Sequence, residues 1–271
     1  MTKKIRLLAL DLDGTLLDPN SRVSEADGAA VRAARDRGVH IVVSTARWYS
    51  IAQRTARKLE LRTPVICHNG AHVREPDNGA ELLHETIPED AAKEIVAFCD
   101  DGGFETYTTI DGVTYMRTPR ADQIDPKRLP EDMRLARSHL EHVTGPVTGM
   151  VVFGDDTVRA LIERFAERYR GVLSFPVGSG AATETYVSIT AAGCDKGRAL
   201  RLVCERLDVA PAEVLAMGDA QPDIEMFDLA AIGVAMGNAA DDVKAKADAV
   251  APSNAEGGVA WAVRRYVLDG E

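Results

Sequence analysis

At 271 residues and 45% apolar content, the chain is long enough for one large domain or two modest ones around a real core, which excludes a disordered protein. A formal net charge of -10, with no run of five or six lysines or arginines, leaves no basic field for a phosphate backbone and makes nucleic acid an unexpected partner. An acidic protein that handles an anion needs local positive charge, from a metal ion or a few placed cations.

Residues 5–10 form a short apolar run that ends at Asp11, the pattern of a buried parallel strand delivering an acid at its carboxyl end. A helix follows: Ser24 suits an N-cap with Asp27 three residues on, alanines and Val31 supply the apolar face, and Gly38 stands where a helix stops. Residues 39–43 predict a second strand leading into Ser44-Thr45-Ala46-Arg47. Residues 50–59 predict a helix, and 65–67 a third strand ending in His68-Asn69-Gly70-Ala71. This alternation is that of an α/β parallel sheet covered on both faces, where ligands sit beyond the carboxyl ends of the strands. From about Leu83 the pattern changes. A helix is expected over 89–99, a hairpin over 106–115 around Asp111-Gly112, a helix over 157–169, and strands near 172–175 and 186–189. The parallel pattern resumes with a helix from Lys196, a strand over 214–217 ending at Gly218-Asp219, a strand over 232–234 and a closing helix over 260–267. The expected organisation is a core of residues 1–83 and 188–271, interrupted by an inserted α+β domain at 84–187.

The four cysteines, Cys67, Cys99, Cys194 and Cys204, form no C-x-x-C pair, and three lie in apolar stretches, as expected of a reduced, cytoplasmic chain without disulfides. The apolar run before Asp11 is far short of a signal segment or of the roughly 20 residues that span a bilayer, so no membrane association is expected.

Two acidic clusters stand at strand ends. Asp11-Leu12-Asp13-Gly14-Thr15 sets two carboxylates two residues apart, with Gly14 permitting a sharp turn, although the same pentapeptide also fits an ordinary surface turn. Gly218-Asp219-Ala220-Gln221-Pro222-Asp223 repeats the arrangement far along the chain. Two such clusters in one sheet repel each other unless a divalent cation lies between them, and Mg2+ suits all-oxygen ligands beside phosphate. His68 and His72 are spaced like a helical metal pair but flank Asn-Gly in an expected turn, and His139 and His142 are expected on a solvated face. Gly178-Ser179-Gly180 lacks the Gly-Lys-Ser/Thr that completes a phosphate loop.

Asp11-Leu12-Asp13-Gly14-Thr15-Leu16-Leu17, Ser44-Thr45-Ala46-Arg47, Asp195-Lys196-Gly197 and Gly218-Asp219 through Asp223-Ile224-Glu225-Met226 resemble the four ordered motifs of haloacid dehalogenase phosphatases. Asn69-Gly70-Ala71, Val234-Ala235-Met236-Gly237-Asn238-Ala239 and Gly257-Gly258-Val259 resemble the Cof-type subgroup, which carries a large α+β cap between its second and third motifs. The resemblance implies a Rossmann-like core and a phosphoric monoester hydrolase. Asp11 would be the nucleophile, Asp13 the acid and base, and Thr45 and Lys196 the groups that hold the phosphoryl oxygens. Mg2+ would be held by Asp11, the Asp13 backbone carbonyl and Asp219, with Asp223 assisting through water or by orienting Lys196. Gly14, Arg47 and Asn69 are candidate phosphate or substrate contacts, although a solvated arginine and a turn asparagine read equally well. The implied partner is a small phosphorylated metabolite, with sugar phosphates foremost and pyridoxal phosphate or flavin mononucleotide behind them, bound by a monomer or small homo-oligomer. A phosphomutase and a non-catalytic metabolite-binding relative are the alternatives. Two residues depart from the family pattern, Ala46 where glycine is usual and Pro222 where asparagine is usual.

Overall fold

The computed structural model describes residues 4–179 and 185–269. The chain divides into two compact units, one of residues 1–83 and 195–271, the other His84–Cys194. Among the described residues no helix is long and apolar enough to cross a membrane, and all four cysteines are buried.

The first unit is built on five parallel strands: β1 (Leu7–Leu10), β2 (His40–Val43), β3 (Val214–Gly218), β4 (Ile232–Ala235) and β5 (Ala249–Val250), in the order β5-β4-β3-β1-β2. Side chains alternate between the two faces of a strand, so β1 feeds two cores at once. Leu8 and Leu10 pack with Ile41, Val43, Leu215 and Met217 under Val31 and Ala34 of helix Glu25–Asp36 and Val259 and Val263 of helix Gly258–Val263. Leu7 and Ala9 face the other way, onto Leu200 and Val203 of helix Lys196–Arg206. Burial on both faces is why the run before Asp11 is apolar without interruption, and each fully buried leucine contributes about 2–3 kcal/mol. Asp27 joins two helices: its N–H donates to the Ser24 Oγ cap at 3.0 Å, and its Oδ1 accepts from the Ala260 N–H at 2.7 Å.

Chain order reverses on either side of β1, with β2 paired along one edge and β3 along the other. The crevice beyond a reversal point of this kind is where parallel sheets receive ligands. The strand expected over 65–67 is present as Val65–Cys67, but it meets the parallel set through a single bridge, Ser44 to Ile66, and pairs antiparallel with His72–Arg74.

The second unit is a sheet covered by two helices, Glu89–Gly102 and Asp155–Phe165, around Ile95, Met150, Leu161, Phe165 and Ile189. The hairpin stands where Asp111-Gly112 places it, between Thr106–Ile110 and Val113–Arg117, and both turn residues take the positive φ (47° and 75°) that a two-residue hairpin loop demands. Three expectations are corrected here. The central strand Val147–Phe153, between Thr106–Ile110 and Thr185–Ala191, was not foreseen, because Gly145-Pro146 and Gly149 interrupt its pattern. Strand Thr185–Ala191 belongs to this sheet, so the second changeover falls after Cys194 and not at 187. His139 is buried, not solvated, and its Nδ1 lies 2.9 Å from Thr108 Oγ1. Of the Gly178-Ser179-Gly180 stretch, Gly178 and Ser179 end strand Val177–Ser179, while Gly180 lies outside the described residues.

Candidate active site

Asp11 and Asp219 lie just past the carboxyl ends of neighbouring strands, β1 and within β3's continuation, and the Asp11 N–H still donates to the Met217 carbonyl at 3.1 Å. Lys196 opens helix Lys196–Arg206, a position where the helix dipole disfavours a cation. Two carboxylates compensate: Lys196 Nζ lies 2.6 Å from Asp11 Oδ1 and 2.6 Å from Asp223 Oδ1. All three side chains are buried. The other Asp223 oxygen accepts the N–H groups of Asp219 (2.9 Å) and Ala220 (3.0 Å), so one residue orients both the lysine and the loop carrying Asp219.

Burial alone lowers the affinity of Lys196 for its proton, but Asp11 and Asp223 outweigh this and hold it firmly charged. Burial raises the Asp11 pKa well above the ordinary carboxylate range; Lys196 offsets part of this, and Asp223, Asp219 and Asp13 add to it. Asp219 is pushed up to about 7, chiefly by burial and then by Asp223. One ammonium among these acids leaves a surplus of buried negative charge, the condition a divalent cation relieves. Asp11, Asp219 and Asp223 present oxygens that all lie within 4.8 Å of one another, a hard donor set that fits Mg2+. Asp223 is the most committed of the three, since both its oxygens already accept hydrogen bonds.

Gly14 has φ of 80°, and a Cβ placed there would lie 2.1 Å from Asp219 Oδ2, so the glycine supplies clearance as well as a turn. Two residues not foreseen from the sequence complete this corner. Thr15 Oγ1 donates to Asp219 Oδ1 at 3.3 Å, and Asn238 Nδ2 donates to the Gly14 carbonyl at 2.8 Å and to Asp219 Oδ2 at 3.3 Å. The signal for Asn238 was its place just past β4, the strand next to β3. It also bears on Pro222, because an amide does reach Asp219, from β4's end and not from the fourth motif. Pro222 itself sits in the first turn of the short helix Gln221–Asp223, where no donor is required. Ala46 is not among the residues with positive φ, so alanine in place of glycine carries no backbone strain.

The loop after β2 supplies the remaining groups. Thr45 Oγ1 accepts from the Arg47 N–H at 3.1 Å, which leaves its own hydrogen free to donate. The Asn69 N–H donates to the Thr45 carbonyl at 3.1 Å and the His68 N–H to the Arg47 carbonyl at 3.0 Å, tying this loop to the left-handed turn at His68 and Asn69. Arg47 does not stand free: its Nε donates to Asp13 Oδ2 at 2.6 Å and its Nη2 to Asp13 Oδ1. The Asp13 carboxylate is therefore turned toward Arg47 and does not join the cluster of Asp11, Asp219 and Asp223.

A parallel sheet with a buried carboxylate at its central strand tip, a lysine bridging two acids and a second acidic strand tip is the arrangement of a phosphoryl-transfer enzyme. Residues 8–263 match the haloacid dehalogenase-like hydrolases, and the chain belongs to that family, among its phosphatases. It is similar to 5-amino-6-(5-phospho-D-ribitylamino)uracil phosphatase YcsE of Bacillus subtilis strain 168, with 30% identity covering 97% of this chain and 96% of the relative. Phosphatase YwpJ of the same organism is 29% identical, covering 97% of this chain and all (100%) of the relative. A solved haloacid dehalogenase-like hydrolase from B. subtilis superposes with a TM-score of 0.82 at 26% identity, over 97% of this chain and 100% of that one.

Proposed function

We propose that the protein is a Mg2+-dependent phosphatase of small phosphorylated metabolites that works through an aspartyl-phosphate on Asp11. The observation that carries this reading is Lys196 Nζ, 2.6 Å from both Asp11 and Asp223. It leaves Asp11 buried at the strand tip beside a fixed positive charge, where a phosphoryl group would need both a nucleophile and a counter-charge. In the first half-reaction an Asp11 oxygen bonds to phosphorus, the ester oxygen departs with the bonding pair, and Asp13 gives that oxygen a proton. In the second, water bonds to phosphorus, Asp11 leaves as a carboxylate, and the water proton passes to Asp13. Lys196 and the free hydroxyl hydrogen of Thr45 hold the phosphoryl oxygens, and Asp223 keeps the lysine aimed. Asp11, Asp219 and the Asp13 backbone carbonyl would hold Mg2+, with Asp223 behind them. When bound, the ion supplies neutralisation of the phosphoryl charge.

Sugar phosphates are the proposed substrate class, supported by the phosphoribityl ester in the name of the relative YcsE. Selection among such esters is assigned to the inserted unit, His84–Cys194. The test is inorganic phosphate release from a panel of about a hundred phosphate esters. The expected outcome is hydrolysis that stops with a chelator, returns with Mg2+ and is fastest for a sugar phosphate. Hydrolysis indifferent to chelation, an isomer formed in place of free phosphate, or no hydrolysis of any ester would each refute the proposal.

A further inference from the structure

We propose that Asn254 is a positioning residue for the Mg2+ site, acting through Asn238 to keep an amide N–H aimed at Asp219. This rests on the Mg2+ reading above. Asn238 is exposed, so packing does not fix its side chain. Hydrogen bonds do. On one side of the amide lie two acceptors, the Gly14 carbonyl at 2.8 Å and Asp219 Oδ2 at 3.3 Å from Nδ2. On the other lies a donor, the Asn254 N–H, 3.0 Å from Oδ1. A primary amide has one accepting and one donating end, so only this orientation satisfies all its partners. Turned over, the amide would set its carbonyl oxygen against the Asp219 carboxylate and its NH2 against the Asn254 N–H, and every one of these bonds would be lost.

Asn254 itself is buried in the loop after β5, and its side chain supplies its anchor: Nδ2 donates to the Leu17 carbonyl at 2.7 Å. That loop is pressed onto the one carrying Asn238. The Gly237 N–H donates to the Pro252 carbonyl at 3.2 Å, and a Cβ on Gly237 would lie 2.8 Å from the Ser253 nitrogen. Leu17 bridges in turn to Asp13. The two asparagines therefore hold both ends of the turn from Gly14 to Leu17 and hold one another, and the amide faces Asp219 only while residue 254 stays in place. Carboxylates that ligate a metal are oriented by hydrogen bonds of this kind, and loss of such a partner is felt as lost metal affinity. A simple latch on Leu17 would stiffen the turn without regard to Asn238, and a double-mutant cycle separates the two roles.

The experiment measures Mg2+ affinity by titration calorimetry for the wild-type protein, Asn254→Ala, Asn238→Ala and the double variant, each checked for folding by circular dichroism. Asn254→Ala is expected to weaken Mg2+ binding about tenfold, as loss of Asn238 does. The double variant should also be weakened about tenfold, because residues that act through one another do not add, whereas independent effects would multiply to about 100-fold. In phosphate release, the Mg2+ concentration giving half the maximal rate should rise about tenfold in Asn254→Ala while kcat at saturating Mg2+ falls less than about threefold. Asn254→Ser, which keeps a donor of shorter reach, should lie between Asn254→Ala and wild type. Unchanged Mg2+ affinity in Asn254→Ala would overturn the proposal. So would a double variant weakened about 100-fold, which would leave Asn254 a latch on Leu17 alone. If Asn254→Ala and Asn254→Ser both fail to fold, Asn254 is a folding residue and the proposal falls. A wild-type protein that binds no Mg2+ would instead overturn the Mg2+ reading, and this proposal with it.

Discussion

Gly14 shows how little room a single residue leaves at this site. With φ of 80° and its missing Cβ directed at Asp219 Oδ2, Gly14→Ala combines backbone strain of about 1 kcal/mol or more with displacement of the Asp219 carboxylate, a proposed Mg2+ ligand. The expected outcome is a loss of phosphate release of at least about 100-fold with the protein still folded by circular dichroism, since a misplaced group at the reacting centre costs that much. Asn238→Ala is milder. It removes the amide shared by Gly14 and Asp219, and titration calorimetry should show Mg2+ affinity weakened about tenfold, as for other residues that support a metal ligand. Unchanged affinity would show that Asn238 does not support the ligand. Asp11, Lys196 and Asp219 could be singled out as candidates because an acid at a buried strand tip and a cation at a helix start have no ordinary structural reason to be there, whereas Asp223, an acid at a helix start, was reached through the resemblance. The Arg47 pairing with Asp13 and the reach of Asn238 were not legible. They depend on how loops 34 and 224 residues apart in sequence come together, and no local periodicity encodes that.

At the scale of elements, most of the first unit was readable because β1 to β4 are largely buried and appear as short apolar runs, while the edge strand β5, with Val250 exposed, was not foreseen. The second unit was less readable. Strand Val147–Phe153 is rich in strand formers, but Gly149 in its middle and Gly145-Pro146 before it break the pattern, and its place between Thr106–Ile110 and Thr185–Ala191 is set by pairing and not by local sequence. The same packing buries His139 against Thr108, which charge patterning could not reveal; burial lowers its pKa from 6.5 to about 4. The unfolded chain therefore binds the proton more readily than the folded one. Stability contributed by neutral His139 is complete above pH 6.5 and is lost as pH falls toward 4, by about 3 kcal/mol at most. Urea unfolding of the whole protein should show stability declining from pH 7 to pH 5, and His139→Asn should flatten that decline. An equally steep decline in the variant would remove His139 as its source.

Across the whole molecule, an α/β core carried by two separated stretches of chain could be read from the sequence because acidic strand ends recur on both sides of the insertion. The boundary at Cys194 could not, because Thr185–Ala191 looks like a core strand in isolation and is assigned only by pairing with Val147–Phe153. The discontinuous core also means that the proposed nucleophile and its lysine, 185 residues apart, meet only in the folded protein. Asp11→Asn removes the nucleophile while keeping its shape, and its kinetics test the account's central claim most directly. The account predicts a protein that melts within a few degrees of wild type and has lost at least about a thousandfold in Mg2+-dependent phosphate release. A folded Asp11→Asn protein turning over within tenfold of wild type would contradict it.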